Sequence, residues 1–342
     1  MSMNRRVLLA ARPAGVPVPD DFAFAEDAMP DPADGQFLLA ARYLSADPLQ
    51  RWRMDAASGY GTTMKLGETV WGRMVGEVLR SRHPDWREGD YAEGMLGWQE
   101  YALSRGDSGK LAYAQGVSRV DPELEPLSTA LGILGMPGLT AYFALLEICD
   151  PQPGQTVVVS AAAGTVGSLA GQIARLRGCR VVGIVGAAVK VRHLLNDLRF
   201  DAAIDYRETP DLDAALRAAC PDRIDAYFDN VGGTVADAVM RHLADRARIA
   251  VVGRVAQLSG PTTRADAQAH IISARARLQG FIVYDYAHRA GEALAAIGGW
   301  LADGAVRYHE TVHEGIEAAP QALIDVLQGR GIGKHVIRMR EP

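Results

Sequence analysis

Apolar and polar positions follow two different rhythms along this chain. From about residue 155 onward, short β-branched runs alternate with longer amphipathic stretches. The runs are Thr156–Ser160, Arg180–Val185, Ala203–Tyr206, Ile224–Asp229, Arg248–Val252 and Leu278–Val283. Helical segments fill the gaps at about 165–177, 188–199, 211–219, 234–244 and 288–303. Strands that read as continuous apolar runs are buried on both faces, and strands joined by crossover helices lie parallel. The pattern therefore predicts an α/β unit with a doubly wound parallel sheet, whose ligands sit beyond the strands' carboxyl ends.

Before about residue 130 the rhythm is that of a β-rich unit. Phe37–Tyr43 and Gly76–Leu79 read as strands, Gly89 and Asp90 as a turn, and Gly97–Tyr101 as the entry to a further strand. An apolar segment from Pro137 to Ile148 predicts a buried helix. The tail from about 306 is mixed and ends on a strand-like His335–Met339. No internal repeat or low-complexity segment interrupts this plan.

Composition adds limits rather than detail. The 342 residues suffice for two domains, and 48% hydrophobic content supplies a sizeable core. A net charge of −5, without any run of Lys or Arg, argues against a nucleic-acid partner. Cys149, Cys179 and Cys220 lie far apart and form no metal-type pair, as expected in a reducing compartment. Val7–Ala11 is too short for a signal segment, and no apolar run reaches membrane-spanning length. A soluble cytoplasmic protein is expected.

The candidate chemistry lies in the turn after the first parallel strand. Thr156–Ser160 feeds the small residues Ala161, Ala162, Ala163 and Gly164, and a helix opens at about Thr165. Glycine lets backbone approach a pyrophosphate, and free N–H groups at the helix start bind its charge. The strand before, the helix after and the following strand Arg180–Val185 supply the context such a motif needs. The plainer alternative is a tight strand–helix turn without a ligand. Enzymes that prefer NAD place an acid at the end of the second strand to hold the ribose 2′-hydroxyl. Here that stretch is Gly186, Ala187, Ala188, Val189 and Lys190, with Arg192 and His193 following. A missing acid and a nearby lysine suit a 2′-phosphate, hence NADP(H); the alternative is a solvated basic helix face. Tyr206 could lie beside that phosphate or be a half-buried strand-end tyrosine.

With sheet and turn in place, the chain resembles the zinc-independent medium-chain reductases that include prostaglandin/leukotriene reductase, plant alkenal reductase and bacterial curcumin reductase. The matching segments are Leu44–Pro48, Leu134–Tyr142, Ala161–Ser168, Gly171–Ala174, Gly178–Gly183, Asp229–Gly233 and Gly333–Lys334. His83–Asp90 and Gly97–Gln99 look most like the curcumin reductase branch. The resemblance implies a GroES-like β-rich substrate domain over residues 1–130, a Rossmann domain over 131–305, and a C-terminal segment 306–342 that rejoins the first domain. It implies NADPH in the cleft between domains, with Gly164, Thr165, Val166 and Gly167 at the pyrophosphate. Lys190, Tyr206 and Asn230 match further contact positions, Phe281, Ile282 and Val283 would line the nicotinamide side, and Gly253 and Gly331 complete the set. It also implies a homodimer.

Zinc-dependent relatives need a Cys/His/carboxylate set in the first domain. No cysteine precedes Cys149, Trp71-Gly72-Arg73 stands where such relatives carry Gly-His-Glu, and the eight histidines are scattered. No metal is expected. A metal-free apolar site beside a nicotinamide suits hydride delivery to the double bond of an α,β-unsaturated ketone or aldehyde. Charge then develops on the carbonyl oxygen and calls for a hydrogen-bond donor.

At that donor the chain departs from its relatives. They read Asp-Pro-Tyr where this chain has Asp47, Pro48 and Leu49, and Ser-x-Tyr-Asn where it has Ala256, Gln257, Leu258 and Ser259. Leu49 and Leu258 thus replace two phenols at substrate-pocket positions, and Gly331 replaces an asparagine that approaches NADP. Tyr284 is the first substitute donor to consider, followed by Tyr286, Gln257 and Tyr60. The expected activity is NADPH-dependent reduction of apolar enones or enals. The alternatives are a quinone or carbonyl reductase, and a weakly catalytic NADP(H)-binding protein.

Overall fold

A computed structural model describes residues 3–56, 62–106, 116–256 and 267–340. The chain forms two compact units. One comprises Met1–Gly135 with Glu310–Pro342, the other Met136–His309. The joins thus fall after Gly135 and His309, a few residues beyond the expected 130 and 305.

In chain order the strands are β1 (Met3–Leu9), β2 (Phe22–Ala28), β3 (Phe37–Ser45), β4 (Arg73–Ser81), β5 (Tyr91–Met95), β6 (Tyr101–Ser104), β7 (Val117–Val120), β8 (Thr156–Ser160), β9 (Arg180–Val185), β10 (Ala202–Asp205), β11 (Ile224–Asp229), β12 (Leu243–Val251), β13 (Arg277–Gly280), β14 (Glu310–Glu314) and β15 (Lys334–Arg338). In the second unit β10-β9-β8-β11-β12-β13 form one six-stranded sheet. Every pairing in it is parallel. This is the doubly wound order, which reverses between β8 and β11 and leaves a crevice there at the carboxyl ends. Val157, Val158, Val159, Tyr227 and Phe228 are all 0% exposed at the sheet's centre. That burial on both faces is why these strands read as unbroken apolar runs.

Three strands begin and end where the sequence places them: β8, β9 and β11. β12 starts at Leu243 rather than Arg248, because the chain enters the sheet through Arg246 at φ 61 and a register shift opposite β11. β13 ends at Gly280, so the strand reading of Phe281, Ile282 and Val283 is corrected; a 3-10 turn over Val283–Arg289 follows. The helix expected over 137–148 is helical throughout, as an α segment Met136–Phe143 continued by a wider π turn Ala144–Cys149.

The first unit is built on a sheet ordered β14-β15-β3-β4-β5-β7, with β6 also on β3. β15 runs antiparallel to β3, Val336 opposite Ser45, so the tail completes this unit's sheet. The Lys334 ammonium anchors it, pairing with Asp47 and donating to the Ala46 carbonyl at 3.1 Å. Nearby, the fully buried Trp98 donates its indole N–H to the Ser45 carbonyl at 2.9 Å.

The same strand carries a buried imidazole. His335 is 4% exposed, with Nε2 3.0 Å from the Arg330 carbonyl and Nδ1 3.1 Å from His313 Nε2. Burial, and then the neighbouring His313, hold His335 down at about 4. Because the folded state favours the neutral ring, the unfolded chain takes up its proton first as the pH falls. This contribution is complete above the ordinary value of 6.5 and is lost as pH drops toward about 4. Urea midpoints measured between pH 7.5 and 4.5 are expected to fall, and His335→Asn is expected to flatten that slope. A parallel slope in the variant would show that His335 does not carry the effect.

Candidate cofactor and active site

The turn after β8 is held by main-chain geometry. Ala161 adopts φ 47, Gly164 N–H donates to the Ala161 carbonyl at 3.0 Å, and Ala162 N–H reaches the Ile184 carbonyl at 3.2 Å. The helix Thr165–Leu176 then begins on Gly164 with no capping side chain. Its first N–H groups have no acceptor within the helix. Gly167 sits against the turn: a Cβ there would stand 2.5 Å from the Ala161 oxygen and 2.9 Å from Ala162 Cα. Backbone, not a yielding side chain, makes glycine obligatory at this point.

Across the crevice, β11 ends on Asp229, which is 1% exposed. Its Oδ1 accepts from Gly232 N–H at 2.8 Å, Tyr227 OH at 2.9 Å, Val231 N–H at 3.0 Å and Ser160 Oγ at 3.3 Å. These bonds tie the loop after β11 to the end of β8. Asn230 is fixed by the same joint, its N–H donating to Ser160 Oγ at 2.9 Å and its amide to the Ser160 carbonyl at 2.7 Å. A side chain on Gly253 would strike the Asn230 carbonyl, so β12 also presents bare backbone here.

Beyond β9 and β10 the site is cationic. Lys190 lies on the short helix Ala188–Arg192, and burial, with the charge of Arg207 second, holds its ammonium below the ordinary lysine value. Tyr206 and Arg207 follow β10, with Arg207 Nε donating to the Tyr206 hydroxyl at 3.3 Å. His193 is turned instead to Asp197, 2.7 Å away, and Arg192 is exposed. Arg207 was not singled out from the sequence; its place directly after Tyr206 was the available signal.

The aligned registers bring these residues to one edge. Gly164–Gly167, Lys190, Tyr206, Asn230, Gly253 and Phe281–Val283 each lie beyond the carboxyl end of their own strand. Phe281 is buried and stacks on Tyr286 at 5.4 Å, while Ile282 is 46% exposed. The Tyr284 hydroxyl faces the Met136 thioether at 3.9 Å, a weak acceptor. Tyr286 also stacks on Phe143 at 4.9 Å, so its ring is part of a packed aromatic layer. Leu49 is half-buried on the helix Pro48–Arg53 in the first unit. Gly331, also in that unit, turns at φ 70 where a Cβ would meet His335 Nε2 at 2.6 Å. Leu258, Gln257, Ser259 and Tyr60 lie outside the described residues. Among the described residues no group of three or more His, Cys, Asp or Glu side chains could hold a metal ion.

An uncapped helix N-terminus, a glycine-floored switch point and lysine in place of the ribose-binding acid together fit a phosphorylated dinucleotide. Fold and site define a dinucleotide-dependent oxidoreductase. Comparison with known proteins carries the assignment further. Residues 5–111 match the family model described as the N-terminal domain of oxidoreductase, and residues 165–298 match that described as zinc-binding dehydrogenase. The chain is 42% identical to the NADPH-dependent curcumin reductase of Escherichia coli (strain K12), over 98% of this chain and 97% of the relative. It is 41% identical to the NADP(+)-dependent 2-alkenal reductase of Nicotiana tabacum, over 86% of this chain and 84% of the relative. The crystal structure of CurA in complex with NADPH from Vibrio vulnificus superposes with a TM-score of 0.92 at 39% identity, covering 99% of this chain and 100% of the other. The chain belongs to the zinc-independent medium-chain dehydrogenase/reductase family, with the curcumin, alkenal and prostaglandin reductases.

Proposed function

We propose that this protein uses NADPH to reduce the carbon–carbon double bond of apolar α,β-unsaturated ketones and aldehydes. One observation carries the reading: the parallel sheet gathers an uncapped helix start and the half-buried cation Lys190 at one edge, with no acid at the end of β9. The activities named for its relatives, curcumin and 2-alkenal reduction, support the substrate class.

NADPH, when bound, supplies a hydride. The chain's residues do the rest. The N–H groups of Thr165, Val166 and Gly167 hold the pyrophosphate, and Lys190 and Tyr206 receive the 2′-phosphate. Phe281, buried against Tyr286, keeps the nicotinamide side dry. As the substrate's β-carbon is reduced, negative charge collects on its carbonyl oxygen, and a donor aimed there stabilises the enolate. Tyr284 is assigned that donor, because among the described residues its hydroxyl meets a thioether at 3.9 Å, a weak acceptor. Water or the same phenol then protonates the α-carbon. Leu49 and Leu258 stand where relatives carry tyrosines; each puts an apolar side chain in place of a phenol, which favours apolar substrates.

A homodimer is part of this reading. β13 forms the outer edge of its sheet among the described residues, and Ile272 nearby is 74% exposed. The three cysteines, all buried and free, support a reducing cytoplasmic setting.

NADPH absorbance followed with enones, enals and quinones, beside Tyr284→Phe and Leu258→Tyr variants, tests the proposal. Enones and enals are expected to be consumed, and Tyr284→Phe to lower kcat by about tenfold or more. Unchanged turnover in that variant would dismiss Tyr284. Turnover of quinones alone would make the protein a quinone reductase. A silent wild type beside an active Leu258→Tyr variant would leave a cofactor-binding protein that has lost its donor.

A further inference from the structure

We infer that Arg207 is a second specificity-determining cation, which joins Lys190 in holding the 2′-phosphate of the cofactor. The inference rests on the NADPH reading above and assigns to that site a residue the sequence did not single out.

Three observations carry it. Tyr206 and Arg207 lean over Gly186, the first residue past β9: a Cβ there would come within 3.0 Å of both Arg207 Nε and Tyr206 Cε1. Glycine therefore leaves a small floor beneath the two side chains at the strand end where an NAD-preferring site places its acid. Second, Arg207 Nε donates to the Tyr206 hydroxyl at 3.3 Å. The phenol oxygen is thereby used as acceptor, and its own proton is left to point toward an incoming phosphate oxygen. Third, Arg207 and Lys190 are close enough that the charge on one weakens the protonated form of the other. Two like charges this near to one another favour a dianion as their ligand. Asp205 Oδ1 accepts from the Arg207 main-chain N–H at 3.1 Å and so fixes the backbone that carries the guanidinium. A guanidinium presents paired N–H groups that match two phosphate oxygens, a geometry that a lysine lacks.

The same chemistry would take inorganic phosphate or the 2′-phosphate, so the test separates them. Calorimetric titrations of the full chain with NADPH, NADH, adenosine 2′,5′-bisphosphate and inorganic phosphate would be run on wild type, Arg207→Gln and Arg207→Lys. Arg207 is exposed, so neither variant threatens the fold. Arg207→Gln is expected to weaken NADPH and the bisphosphate by about tenfold each, with NADH within twofold of wild type. Arg207→Lys is expected to recover part of the loss. Inorganic phosphate is expected to bind at least a hundredfold more weakly than the bisphosphate; comparable binding would make this a general anion site and overturn the assignment. Equal losses for NADPH and NADH, or no loss for either, would likewise overturn the role of Arg207 while leaving the NADPH reading intact. A wild type that binds NADH as well as NADPH would overturn that reading, and this inference with it.

Discussion

A valine at Gly167 is expected to abolish NADPH binding, raising the dissociation constant roughly 100-fold or more. The position lies in the first turn of the helix Thr165–Leu176, facing the segment that enters it. Even one added carbon would stand 2.5 Å from the Ala161 oxygen and 2.9 Å from Ala162 Cα. Neither atom belongs to a side chain that could swing away. Ala161 already holds a left-handed φ of 47, so the turn has little freedom to retreat. The helix start must move outward, carrying Thr165 and Val166 away from the phosphate. The fold itself should lose less, on the order of 1–3 kcal/mol as for other overpacked sites. Calorimetry with NADPH, beside a urea midpoint for the same variant, separates the two effects. Binding within threefold of wild type would remove this turn as the phosphate seat.

The second large effect is expected in stability. Asp229→Ala removes one acceptor shared by two main-chain N–H groups, the Tyr227 phenol and the Ser160 hydroxyl, at a position 1% exposed. Losing a buried acceptor costs about 1–3 kcal/mol for each donor stranded, less whatever an entering water restores. A loss of about 3–5 kcal/mol is expected, read as a lowered urea midpoint with an unchanged slope. Asp229→Asn keeps the volume and one acceptor oxygen and should lose about half as much. Because Asn230 and Gly253 are positioned through the same joint, the NADPH affinity of both variants should fall in step with stability. A urea midpoint equal to wild type in Asp229→Ala would show that the loop after β11 is held by other contacts.

The sheet of the second unit was legible because burial on both faces erases polar positions. Thr156–Ser160 and Arg180–Val185 lie between small or turn-forming residues, and those limits are the strands' limits in space. The pattern failed where main-chain geometry, not side-chain polarity, sets the boundary. Asp245 and Arg246 look like loop residues, yet a left-handed residue and a register shift carry them into β12. Phe281 and Val283 look like strand residues, yet β13 ends before them. In the first unit, Val7–Ala11 reads in sequence only as an apolar run too short for a signal segment. The alternation that makes β1 a strand is carried by Arg5 and Arg6, which pair with Glu100 and Asp27 rather than punctuating a loop.

At the site the same division holds. Glycine spacing and the absence of an acid after β9 could be read along the chain, because each depends on residues close in sequence. Arg207 could not, because its meaning depends on Gly186 and Lys190 arriving beside it from another strand. Asp229 was recognised only as part of a motif. Its four donors come from β8, β11 and the loop beyond, and no linear pattern announces that meeting.

β15 lies between β14 and β3, and it is drawn from the far end of the chain. Residues Met136–His309 are thus threaded between two halves of another fold. On the ribosome, β3 emerges long before β15, which covers its Tyr43–Ser45 end, whereas the parallel sheet has all its strands once β13 is out. The inner unit can therefore pack while the outer one still waits with a bare strand edge, a surface other nascent chains would pair with if synthesis stalled. Removing the whole of β15, from Lys334 onward, would leave that edge open permanently.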